Sequence, residues 1–153
     1  IVARAVLASA VIYGPLLVLV ALVYMPLHRF HLAVLAFVPL LLLQLLLCLL
    51  LGYLLAILAA ALRDTVQIVG FLLSVGIYLS PILFPLTLFP ENWRWVLWLN
   101  PATAFVIGYQ QVLLQGAWPP ASVWWVALVW LGVVALLLNL VAQRSRDQLV
   151  DWL

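Results

Sequence analysis

His28 and His31 are the only imidazoles in the sequence, three residues apart on either side of Arg29. At that spacing they can share a helix face and hold a metal or relay a proton. A metal shell, however, needs further Cys, His or carboxylate ligands, and none lies nearby in sequence. Both histidines are therefore read as solvated interface residues. Asp64, Glu91, Asp147 and Asp151 all fall in polar connections or in the tail, so no two of them form a general acid–base pair or an intramembrane proton relay. Lysine is absent, and with it the Gly-rich G-x-x-x-x-G-K-[ST] loop that cradles nucleotide phosphates. Cys48, alone in an apolar run, has no disulfide partner within the chain and reads as a small core hydrophobe. No catalytic residue, metal site or bound cofactor is expected on this chain.

Uncharged polar side chains embedded in apolar sequence are what remain. Gln44 sits in the middle of a long leucine run, where facing its amide to hydrocarbon is costly, so it should look towards protein or water and mark the interior of a helix bundle. Ser9, Tyr13, Tyr53, Gln67, Ser74, Tyr78, Ser80 and Asn139 are similarly placed, either to bridge helices or to line a polar path.

The elements that position these residues follow from composition. Of 153 residues, 70% are hydrophobic and 7% charged, and mean hydropathy is +1.35. An average soluble domain carries about 25% charged residues, so the solvent of this chain is lipid. Six scattered arginines with a net charge of +2 make no phosphate-binding face, which argues against nucleic acid as a partner. Nearly unbroken apolar stretches cover residues 5–25, 32–62, 66–89 and 121–142. Each reaches the roughly 20 residues that cross a bilayer. The expected fold is an all-α polytopic membrane protein, a single domain of four transmembrane helices with an outer re-entrant segment over residues 90–120. The second stretch exceeds a ~30 Å hydrocarbon layer, so it should tilt or begin in the interface near Pro39. Arg4, Arg63, Arg144 and Arg146 then share one side against Arg29 and Arg94 on the other, which makes the first side cytoplasmic. The chain opens on Ile1 inside an apolar run, and upstream sequence is expected.

Residues 90–120 carry helix punctuation of their own. Asn100-Pro101 reads as an N-cap followed by proline at the first helical position, and Gly116 as the residue just past the end, giving a helix near residues 101–115. At about 22 Å that helix cannot span; it should lie at the outer interface or dip in and return. Trp93, Trp95, Trp98, Trp118, Trp124 and Trp125 suit an aromatic belt at headgroup depth. Gly52-x-x-x-Ala56-x-x-x-Ala60 and Gly70-x-x-x-Ser74 present small faces for close helix contact. Arg63-Asp64 forms a tight cytoplasmic turn, the arginine at the C-terminal end of one helix dipole and the aspartate at the N-terminal end of the next.

Four of these elements recur together in a known pattern: the Arg63-Asp64 turn, Ser80-Pro81-Ile82-Leu83-Phe84-Pro85, Leu99-Asn100-Pro101-Ala102-Thr103 and Leu113-Leu114-Gln115-Gly116. In this order they resemble the C-terminal part of an ABC-2 type permease, of the branch that exports polysaccharides such as O-antigen and teichoic acid. The resemblance implies the third to sixth helices of a six-helix subunit that pairs with a second permease copy, driven by separate ABC ATPase subunits that hold the ATP. It implies a lipid-linked glycan as cargo, moved outward across a bacterial inner membrane. On that reading Gln44, Tyr53, Tyr78, Trp98 and Tyr109 are candidate path residues, since amides bind hydroxyls and rings stack on sugar faces without charge. Asn100, Pro101 and Gly116 would shape an outer gate. Members of the family often carry arginine at the position of Gln110. A drug or lipid exporter of the same superfamily is the nearest alternative; a membrane-embedded transferase is a further one, and it would need a histidine or carboxylate at membrane depth.

Overall fold

The computed structural model describes residues 1–28, 32–82 and 88–150. Arg29, His31, Asp151 and the Leu83-Phe84-Pro85 part of the proline motif lie outside these residues. The chain runs through α1 (Val2–His28), a 3-10 segment (Leu32–Ala36), α2 (Phe37–Ala61), α3 (Thr65–Tyr78), a second 3-10 segment (Glu91–Trp93), α4 (Arg94–Leu97), α5 (Pro101–Leu114) and α6 (Ala121–Val150), with no strand among the described residues. In hydrocarbon every backbone N–H and C=O must find a partner within its own segment, and uninterrupted leucine-rich sequence meets that demand as helix. Val2–Val20, Leu32–Ala61 and Ala121–Arg144 are each long and apolar enough to cross a membrane.

Proline sets two of the boundaries. Pro39 lacks an N–H and its ring conflicts with the carbonyl of Leu35, so regular α-helix begins at Phe37, with the proline tolerated in its first turn and 3-10 geometry before it. The expected span over residues 66–89 departs more strongly from expectation. Its helix, α3, has 14 residues, about 21 Å, and ends at Tyr78 before the Ser80-Pro81 turn. Pro81 offers no N–H to Ile77, and the residue before a proline avoids helical geometry, so a continuous apolar run does not become a continuous helix.

Leu40, Leu47 and Leu54 on α2, seven residues apart, form a buried seam against Val123, Ala127 and Val134 of α6. The expectation for the segment after α4 resolves towards the interior. Helix α5 buries Thr103, Ala104, Phe105, Ile107, Gly108 and Val112 and contacts α1, α2 and α6. Gly108 is what admits it: a Cβ there would meet Leu40 Cδ1 at 3.0 Å and Val123 Cγ1 at 3.2 Å. Of the two small-residue faces, Gly52 makes the close contact foreseen, since a Cβ there would meet Val2 Cγ1 of α1 at 2.7 Å. Gly70 has nothing within 4 Å, and the Ser74 hydroxyl donates back to the Gly70 carbonyl at 2.9 Å, so this face meets no helix of the described chain.

At the Arg63-Asp64 turn, Asp64 occupies the N-cap position of α3 but makes no side-chain cap bond. Thr65 closes the turn instead, its hydroxyl donating to the Leu58 carbonyl at 3.1 Å from an 8% exposed position. The two charged residues remain exposed beyond the helix ends, where water serves them better than a cap bond would.

Candidate functional site

Residues 88–116 run into the helix bundle and turn back along it. Glu91–Trp93 and α4 lead inward, with Arg94 tied to the Phe89 carbonyl at 3.2 Å and to Glu91 at 3.4 Å. The indole N–H of Trp130 donates to the carbonyl of Trp98 at 3.3 Å. Trp130 lies nine residues after Ala121, so Trp98 sits about 14 Å along α6 from Ala121. From there α5 runs back out. Asn100 caps it as the sequence indicates: Oδ1 accepts the Ala102 N–H at 3.0 Å and Pro101 follows at the first helical position. Gly116 ends the segment with φ of 60°, a left-handed conformation that suits glycine, and the Ala117 N–H turns back to the Gln111 carbonyl at 3.1 Å.

The same Asn100 joins α5 to the broken end of α3. In an unbroken helix the Ser80 N–H would bond Gly76; because Pro81 ends the helix, that N–H shifts to Ile77 at 3.3 Å and the Gly76 carbonyl loses its backbone donor. Asn100 Nδ2 replaces it at 2.7 Å, and the Ser80 hydroxyl donates to the same carbonyl at 2.9 Å. Asn100 Nδ2 also reaches Ser80 Oγ at 2.8 Å. Further along α5, the Gln110 amide donates to the Pro81 carbonyl at 2.8 Å. Two amides of one helix thus mend the break in another. Gln110 is a neutral donor matched to a backbone acceptor.

A second polar cluster lies on the opposite flank of α5. The Tyr109 hydroxyl donates to Gln44 Oε1 at 2.5 Å, and the Tyr109 ring packs on Phe37 with centroids 5.3 Å apart. Gln44 also lines a recess of about 310 Å³ between α1 and α2, together with Ser9, Tyr13, Gly14, Leu41 and Cys48. On α1, Ser9 and Tyr13 stand one helical turn apart, as do Gln44 and Cys48 on α2, so each helix turns a polar pair to the same space. Among the lining residues none is charged. Such a surface recognises hydroxyls and ring faces and gives no fixed charge to an anion or a cation.

The structure brings together Gln44 and Tyr109 of the path candidates and leaves the others apart. Trp98 is part-buried against α6. Tyr53 is 41% exposed and opens on a different groove of α2, and Tyr78, 70% exposed, sits at the end of α3. Cys48 is exposed to the recess rather than packed as a core hydrophobe, because α1 stands off α2 at this level. Gln110 and Thr65 carry contacts that sequence reasoning did not assign to them; their partners are backbone carbonyls 29 and 7 residues away. Trp93, Trp95, Trp118 and Trp125 are exposed, whereas Trp124 turns inward against the core and stacks on Trp118 with centroids 6.5 Å apart.

A family model described as ABC-2 type transporter matches residues 2–114, from α1 to the end of α5. No curated protein and no solved structure matches the chain.

Proposed function

The chain belongs to the ABC-2 type transporter family, the multi-pass membrane permease component of an ABC exporter, and from that premise we propose that its cargo is a lipid-linked polysaccharide moved outward across a bacterial inner membrane. The observation that carries this reading is Gln44, hydrogen-bonded to Tyr109 and lining a recess with Tyr13 and no charged residue. An amide and phenols can exchange hydrogen bonds with sugar hydroxyls and offer ring faces to stack on, whereas a charged drug or an exposed phosphate would find no counter-charge there. Two permease copies and two ATPase subunits complete the exporter, with ATP bound and hydrolysed on the partners.

The work of this chain is gating. ATP-driven closure of the partners displaces the cytoplasmic helix ends, and the segment that dips to Trp98 and returns through α5 opens outward. Asn100 and Gln110 hold that segment to the end of α3 in the closed state, so opening means exchanging these bonds rather than creating unpaired polar groups.

Gln44→Leu and Tyr109→Phe test the reading. Each should reduce glycan export several-fold at unchanged membrane abundance, and the double variant should lose little more than either single one, because the two side chains act as a pair. Export at the parental rate in Gln44→Leu would remove the cluster from the path. Loss of drug or phospholipid movement with glycan export intact would favour the alternative cargo.

A further inference from the structure

We propose that the groove between α2 and α6 at the Arg144 end binds one anionic phospholipid of the leaflet that Arg144 faces. Arg144 lies 23 residues after Ala121 along α6, about 35 Å, which carries its guanidinium beyond a ~30 Å hydrocarbon core to headgroup level. Here α2 and α6 diverge around a groove of about 570 Å³. Ala56, Ile57, Leu58, Ala60 and Ala61 line it from α2 and Val141 from α6, with Arg144 at its polar end and Tyr53 at its deep end. Tyr53 precedes Ala61 by eight residues, so the groove runs about 12 Å along α2 from headgroup level into the hydrocarbon.

The lining carries one cation and no carboxylate, and among the described residues Arg144 makes no ion pair. A guanidinium at the polar end accepts a phosphate through paired N–H bonds. Three alanines leave the width of a hydrocarbon chain where leucines would fill it. The Tyr53 ring, at the deep end, then lies beside the acyl chain of a bound lipid. A free phosphate would satisfy Arg144 and leave the apolar length empty; a zwitterionic lipid would bring its own cation to the arginine. An anionic phospholipid satisfies both ends, as basic recesses between membrane helices do elsewhere. The inference needs only that the chain spans a membrane, so it is independent of the exported cargo.

Native mass spectrometry of the intact permease, released from nanodiscs of phosphatidylcholine with and without phosphatidylglycerol, tests it without any transport assay. The parent should retain one phosphatidylglycerol under conditions that strip phosphatidylcholine. Arg144→Gln should lower that retention about tenfold and Arg144→Lys much less. Ala60→Phe, which fills the groove and leaves the arginine in place, should lower it as Arg144→Gln does. Unchanged phosphatidylglycerol retention in Arg144→Gln or in Ala60→Phe would overturn the proposal. Equal retention of phosphatidylcholine by the parent, or retention of an isoprenoid phosphate in place of phosphatidylglycerol, would overturn it as well.

Discussion

Asn100 serves two helices with one side chain, its oxygen capping α5 and its amide supplying the donor that Pro81 takes from α3. The two roles separate by substitution. Asn100→Ser keeps a good cap but is too short to reach the Gly76 carbonyl, so its thermal midpoint should fall by the equivalent of about 1–2 kcal/mol. A serine variant as stable as the parent would reduce the residue to a cap. Thr103 offers the reverse case: it is fully buried and its hydroxyl has no partner among the described residues. Thr103→Val should leave stability unchanged or raise it, since the shape is kept and an unpaired polar atom removed; a clear drop would reveal a partner. The cap was legible in Asn100-Pro101 because capping is decided within a few residues. The bond to Gly76 was not, because its partner lies 24 residues away and exists only once α3 has broken. Gln44 was legible as a residue that needs a partner, and Tyr109, 65 residues on, was not legible as that partner.

Among the elements, α5 is seated by its glycine. Gly108→Val would drive methyl groups into Leu40 and Val123 and should cost about 1–3 kcal/mol, loosening α5 from α2 and α6. Gly132→Ala on α6, with nothing within 4 Å, serves as the control and should cost nothing. Equal thermal shifts in the two variants would contradict the packing described. Helices α2 and α6 were legible from hydropathy because length and composition alone decide a span. The same signal overran α3, since a window that averages over residues 66–89 does not register what one missing N–H at Pro81 does to the backbone. The interior seat of α5 was equally hidden: a sequence gives the length of a re-entrant helix, but only the facing surfaces of α2 and α6 decide whether it lies on the bundle or within it.

On the scale of the whole molecule, the arginine split predicts which end of the bundle faces the cytoplasm. With Cys48 replaced, a cysteine at Asn92 should react from outside intact cells with an impermeant thiol reagent, and one at Asp64 should not; the reverse pattern would invert the topology. The proposed function places ATP hydrolysis on a separate subunit, and the sequence carries no lysine and no phosphate loop. Both expectations meet in one measurement, ATP-dependent movement of a fluorescent lipid-linked glycan in proteoliposomes that hold the intact permease with and without its ATPase partner. The account predicts glycan transfer only when both are present, no ATP hydrolysis by the permease alone, and loss of transfer in Gln44→Leu with partner ATPase assembly intact. ATP-driven transfer of phospholipid or drug without glycan, or undiminished glycan transfer in the Gln44→Leu permease, would contradict it.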